Sequence, residues 1–92
     1  MNEKIYAVKN HLMNNKFVAL SKQCKKEFIV YCFYLDATGN MIHLQKKTHY
    51  ANRDLSGGKN RKLRRVEISL RDFLDNTVYD LINRGYELDT LD

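Results

Sequence analysis

The sequence predicts an α+β domain of two layers. An antiparallel sheet of three to four strands carries an N-terminal and a C-terminal helix on one face. Three observations lead there. The run Phe28 to Leu35 is wholly apolar or aromatic and reads as a central strand. Amphipathic segments of helical period lie on both sides of the extended region. The loop Asp36-Ala37-Thr38-Gly39-Asn40 has the composition of a hairpin turn and joins the central run to a second extended segment. At 92 residues the chain is read as a single domain, residues 1–92.

The first helix is expected from Asn2 to about Met13, because Ile5, Val8 and Leu12 fall on one helical stripe. Asn14-Asn15 supplies a stop. Phe17 to Leu20 reads as a short strand and the polar run Ser21 to Lys26 as a turn. Glu27 to Leu35 follows as the central strand. Asp at the head of the next loop and Gly39 near its end favour a three-residue turn with a bulge. Met41 to Tyr50 is then its partner, with Leu35 opposite Met41. This register puts Phe28, Val30, Cys32 and Tyr34 on one face with Ile42, Leu44, Lys46 and Thr48. The purer apolar pairs assign that face to the core. Ile29, Tyr31, Phe33 and Leu35 then share the outer face with Met41, His43, Gln45, Lys47 and His49. A shorter, two-residue loop would exchange the two faces.

Ala51 to Lys62 reads as a polar loop with a flexible Ser56-Gly57-Gly58 tip, and Leu63 to Ser69 as a fourth strand. Ser69 and Asp72 match a helix-start pattern. Leu70, Phe73, Leu74, Val78, Leu81 and Ile82 then form the clearest amphipathic stripe in the chain. Asp72 and Asp75 suit the positive end of that helix, Arg84 its negative end, and Gly85 its C-cap. Tyr86 to Asp92 is an acidic tail, packed in part through Tyr86 and Leu88.

The order helix, three strands, helix resembles, in topology alone, that of double-stranded-RNA-binding domains. The Lys cluster those domains carry at the start of their last helix is replaced by Leu70-Arg71-Asp72. No family is recognised.

Charge is the second theme. The net charge is +5, from 16 Lys+Arg against 11 Asp+Glu, and it is unevenly placed. Residues 1–71 hold 15 basic and 5 acidic groups, whereas residues 72–92 hold 1 and 6. The densest stretch, His43 to Arg65, contains Lys46, Lys47, Arg53, Lys59, Arg61, Lys62, Arg64 and Arg65 against Asp54 alone. Clustered Lys and Arg beside a Gly-containing loop suit phosphates, to which Arg adds bidentate contacts. Tyr31, Phe33, His43 and His49, interleaved with Gln45 and Lys47 on the expected outer face, suit stacking of unpaired bases. The same features also fit a solvated charged hairpin, a homodimer face, or a basic loop paired with the acidic last helix. Gly57-Gly58-Lys59 lacks the spacing of a phosphate-binding P-loop.

Enzyme signatures are sparse. His43 and His49 lie about 20 Å apart along a strand, too far to share a metal, and Cys32 belongs to the other face. No catalytic residue, metal or cofactor is assigned. A metal-independent ribonuclease using His49 with Tyr50, Arg53 or nearby Lys and Arg is a further alternative. Two cysteines, Cys24 and Cys32, are too few for a disulfide scaffold and suit reduced thiols in the cytoplasm. Met1 to Tyr6 has no apolar signal-like stretch, and the longest apolar run is too short to span a bilayer. The expected function is a small binding module that contacts nucleic acid through its basic loop. The rival reading is a protein–protein inhibitor or adaptor of phage or plasmid type.

Overall fold

A computed structural model describes residues 2–25, 27–50, 59–61 and 67–89. Its elements run α1 (Asn2–Asn15), β1 (Phe17–Gln23), β2 (Phe28–Leu35), β3 (Met41–Tyr50), β4 (Lys59–Arg61), β5 (Glu67–Ser69), a C-terminal helix and β6 (Glu87–Asp89). The C-terminal helix comprises α2 (Leu70–Asp72), a π-helical stretch (Phe73–Val78) and α3 (Tyr79–Asn83). The strands form one antiparallel sheet in the order β4-β3-β2-β1-β6, with β5 also on β3. The expected α+β class holds, and both helices pack on one face of the sheet.

That face carries the main core. Val8 and Leu12 of α1 meet Val18, Leu20, Ile29, Phe33, Leu35 and Ile42 of the sheet. Phe73, Val78, Leu81 and Ile82 close it from the C-terminal helix. Phe73 is completely buried, with its ring 4.8 Å from that of Phe33. Ala19, Phe28 and Val30 form a second buried cluster on the far face of the sheet, with Phe17, Cys32 and Tyr50 against it.

The expected assignment of the two faces is therefore reversed. The loop after β2 holds one residue more than the three-residue turn allows. Asp36 N–H donates to the Met41 carbonyl at 2.9 Å, so Leu35 pairs with Ile42 and not with Met41. Ile42 and Leu44 thereby join Leu35 and Phe33 on the helix-covered face. A bulge follows: Phe33 pairs with Leu44, but Cys32 pairs with Lys46, leaving Gln45 as the extra residue. Beyond it Tyr31 opposes Lys47 and Ile29 opposes His49, a grouping that agrees with the expectation.

The loop itself is built by Asp36. Its carboxylate accepts the Thr38 hydroxyl at 2.8 Å and the backbone N–H groups of Asn40 and Met41 at 3.2 Å. The Thr38 hydroxyl, with help from those backbone groups, holds the Asp36 carboxyl below the usual Asp range despite some loss of hydration. Gly39 takes the left-handed backbone (φ 77°) that the turn requires.

Several boundaries extend past their expected ends. α1 runs to Asn15, whose side-chain amide donates to the His11 carbonyl at 2.9 Å. It stops at Lys16, a non-glycine residue at φ 61°. Lys16 N–H donates to the Leu12 carbonyl, and the Lys16 carbonyl accepts from Leu35 N–H at 3.0 Å. β1 continues through Gln23, because Ser21 to Gln23 pair with Phe28 to Val30. Of the expected fourth strand, Glu67–Ser69 is present, and Leu63 to Val66 lie outside the described residues. The expected acidic tail instead supplies an edge strand. Tyr86 is buried, and β6 pairs Leu88 with Leu20 of β1.

The C-terminal helix begins and ends as its sequence dictates. Ser69 caps it by accepting Asp72 N–H at 3.2 Å. At its end Tyr86 N–H donates to the Leu81 carbonyl and Gly85 N–H to the Ile82 carbonyl, with Gly85 at φ 94°. This is a Schellman motif, and the Lys22 ammonium completes it by donating to the Arg84 carbonyl at 2.6 Å.

Candidate nucleic-acid interface

The sheet gathers part of the basic segment at one edge. In the β3–β4 pairing, Lys47 stands directly opposite Arg61 and His49 directly opposite Lys59. Strand positions two apart share a face, so these four positions form a quartet on one side of the sheet. Lys47 and Arg61 are thus like charges at directly opposed strand positions, a pairing that is unfavourable in general. Lys46, opposite Cys32, belongs to the other face. β4 and β5 follow the same edge of β3 in the same direction, and the register moves by two residues between them. Arg53, Lys62, Arg64 and Arg65 lie outside the described residues.

The aromatic members of the expected contact face separate. Phe33 is 4% exposed and belongs to the core, so it is not available to stack a base. Tyr31 is half-buried on the same face, its ring parallel to that of Phe33 at 6.1 Å and edge-on to that of Tyr86 at 5.3 Å. His43, opposite Tyr34, faces away from both. Its Nδ1 lies 3.6 Å from the Glu67 carboxylate, outside hydrogen-bond distance. The reversal of the faces accounts for all three placements.

Two features escaped the sequence. The first is on the far face, where Tyr34 is 41% exposed with its ring 4.9 Å from that of Phe17. Correct register would have revealed it. The second is a groove of about 370 Å³ between the helix-side face of the sheet and the C-terminal helix. Tyr31, Phe33, Leu44 and Ile68 line its sheet side. Asn76, Thr77, Asp80 and Arg84 line its helix side, at and just after the π-helical stretch. Only the tertiary arrangement creates this space, so no local pattern announces it. Tyr31 and Lys47 are cross-strand neighbours, which places the Lys47 and Arg61 positions next to Tyr31 and its groove.

The acidic C-terminal helix answers much of its own charge. Arg71 lies 3.7 Å from Asp75, and Arg84 lies 3.4 Å from Asp80. Burial, then Tyr31 and Cys24, push the Tyr86 phenol up to about 12, so it is neutral across the physiological range.

His49 and Tyr50 occupy successive strand positions and so belong to opposite faces, with Tyr50 beside Phe28 on the far one. Among the described residues no three His, Cys, Asp or Glu side chains approach closely enough to hold a metal. Cys24 and Cys32 are free thiols. Among the described residues no helix is long and apolar enough to cross a membrane. Comparison with known proteins finds no matching family model, no matching characterised protein and no matching solved structure.

Proposed function

We propose that this chain is a small nucleic-acid-binding module of the cytoplasm with an accessory or regulatory role. The carrying observation is the quartet Lys47, Arg61, His49 and Lys59, set in directly opposed pairs at one sheet edge. Cross-strand repulsion of this kind is relieved by a phosphate backbone, whose bound counterions are released in exchange. The ion pairs within the C-terminal helix support the same reading, because they leave the acidic segment less need of the basic one.

The test is binding of a labelled oligonucleotide across a salt series. Affinity falls steeply with salt, and Lys47→Glu with Arg61→Glu reduces both the affinity and the slope, by about one unit for each phosphate no longer neutralised. Absence of binding at about 50 mM salt, where phosphate contacts are strong, refutes the proposal. A protein-binding adaptor is the second reading, favoured by Tyr6 and Met13, exposed at 65% and 41% on α1. It predicts a co-purifying protein that survives nuclease treatment.

A further inference from the structure

Resting on the nucleic-acid reading, we infer that the groove between the sheet and the C-terminal helix receives one unpaired base of a single-stranded nucleic acid, whose phosphates lie on the Lys47–Arg61 edge. Its volume of about 370 Å³ falls in the range of small-ligand sites. Its sheet side is aromatic and aliphatic through Tyr31, Leu44 and Ile68. These offer apolar contact to any base, without sequence preference. Its helix side carries an amide at Asn76, a hydroxyl at Thr77 and the guanidinium of Arg84, whose charge is answered by the Asp80 carboxylate 3.4 Å away in the same lining. An amide and a hydroxyl can both donate to and accept from base edges, and a guanidinium plane can stack on them.

Register links this groove to the charge. Lys47 is the cross-strand neighbour of Tyr31, and Arg61 is the neighbour of Lys47. Strand spacing puts the two cationic positions about 5 Å and 10 Å across the sheet from Tyr31. That is the scale on which a base and its own phosphates are separated. The π-helical stretch and the Gln45 bulge flank this region, and both kinds of irregularity recur beside functional sites. A base paired and stacked within a duplex cannot enter the groove without first being flipped out. A single strand is therefore the matching ligand.

Fluorescence anisotropy on the full chain, with a single strand of about ten nucleotides and a duplex of the same length, tests this. The single strand is expected to bind about tenfold more tightly or better. Thr77→Trp, which fills the groove, and Asn76→Ala, at an exposed position, weaken single-strand binding without changing its salt slope, since every phosphate keeps its cation. Asn76→Ala carries the test if Thr77→Trp fails to fold. Equal affinity for both probes, or wild-type binding by the folded variants, overturns the base site while leaving the cationic edge as a duplex-tolerant surface. No binding of either probe overturns the nucleic-acid reading itself.

Discussion

Gly85→Ala tests how the C-terminal helix is joined to β6. The native φ of 94° lies where an L side chain crowds its own carbonyl, a cost of roughly 1–2 kcal/mol. Alanine also restricts the unfolded chain, which returns about 0.4–1 kcal/mol. A Cβ at this position would stand 3.3 Å from Lys22 Cε and 3.6 Å from Lys22 Nζ. The lysine must shift by a few tenths of an ångström, and its 2.6 Å bond to the Arg84 carbonyl weakens. A typical net hydrogen bond contributes about 0.5–1.5 kcal/mol. Together these give a loss of about 1–2 kcal/mol, or roughly 4–16 °C in Tm for a domain this size. Thermal melts followed by circular dichroism would measure it. In a Lys22→Met background the Gly85→Ala penalty should shrink, because no Lys22 bond remains to be weakened. An unchanged Tm for Gly85→Ala would refute the left-handed cap. Equal penalties in the two backgrounds would refute the share given to Lys22.

Three further outcomes are expected. Phe73→Ala removes a fully buried ring that packs on Phe33, and a loss of about 3–5 kcal/mol in chemical denaturation is expected. Ser69→Ala leaves Asp72 N–H without its cap and costs about 1 kcal/mol in the same assay. The raised Tyr86 pKa gives an alkaline signature. Its neutral form is favoured by the fold, so this contribution is full below about pH 10, the ordinary tyrosine value, and is lost as pH rises toward about 12. Phenolate absorbance and unfolding monitored together across that window should show one tyrosine ionising late in the folded protein. Tyr86→Phe should flatten the decline in stability.

The helices were legible because their signals are local. The stripe from Leu70 to Ile82, the Ser69 cap and the Gly85 terminus all reappear in place. The central strand was equally plain, since an unbroken apolar run is buried on both faces, and Phe28, Val30 and Phe33 are. The faces were not legible, because a period-two pattern inverts with one added residue. Asp36 accepts from Met41 N–H and so closes a longer turn than its composition suggested, and Gln45 then bulges out. That parity change moved Phe33 into the core and His43 to the opposite face. The basic segment was conspicuous as composition, but the opposition of Lys47 to Arg61 depends on long-range pairing that composition does not encode.

Two short edge strands bear on how open the sheet is to another copy of the chain. Each is three residues long, and each alternates charge with an uncharged centre: Lys59-Asn60-Arg61 at one edge and Glu87-Leu88-Asp89 at the other. Between them run Phe17 to Leu20 and Phe28 to Leu35, both free of charged residues and proline, and so the composition that stacks into cross-β fibrils when a strand edge is bared. β6 covers Ala19 to Ser21 with a strand too short and too acidic to recruit another copy. Those few acidic residues thus act as gatekeepers, and a chain trimmed before Glu87 would keep its helices' apolar stripes yet offer β1 as a template for fibril growth.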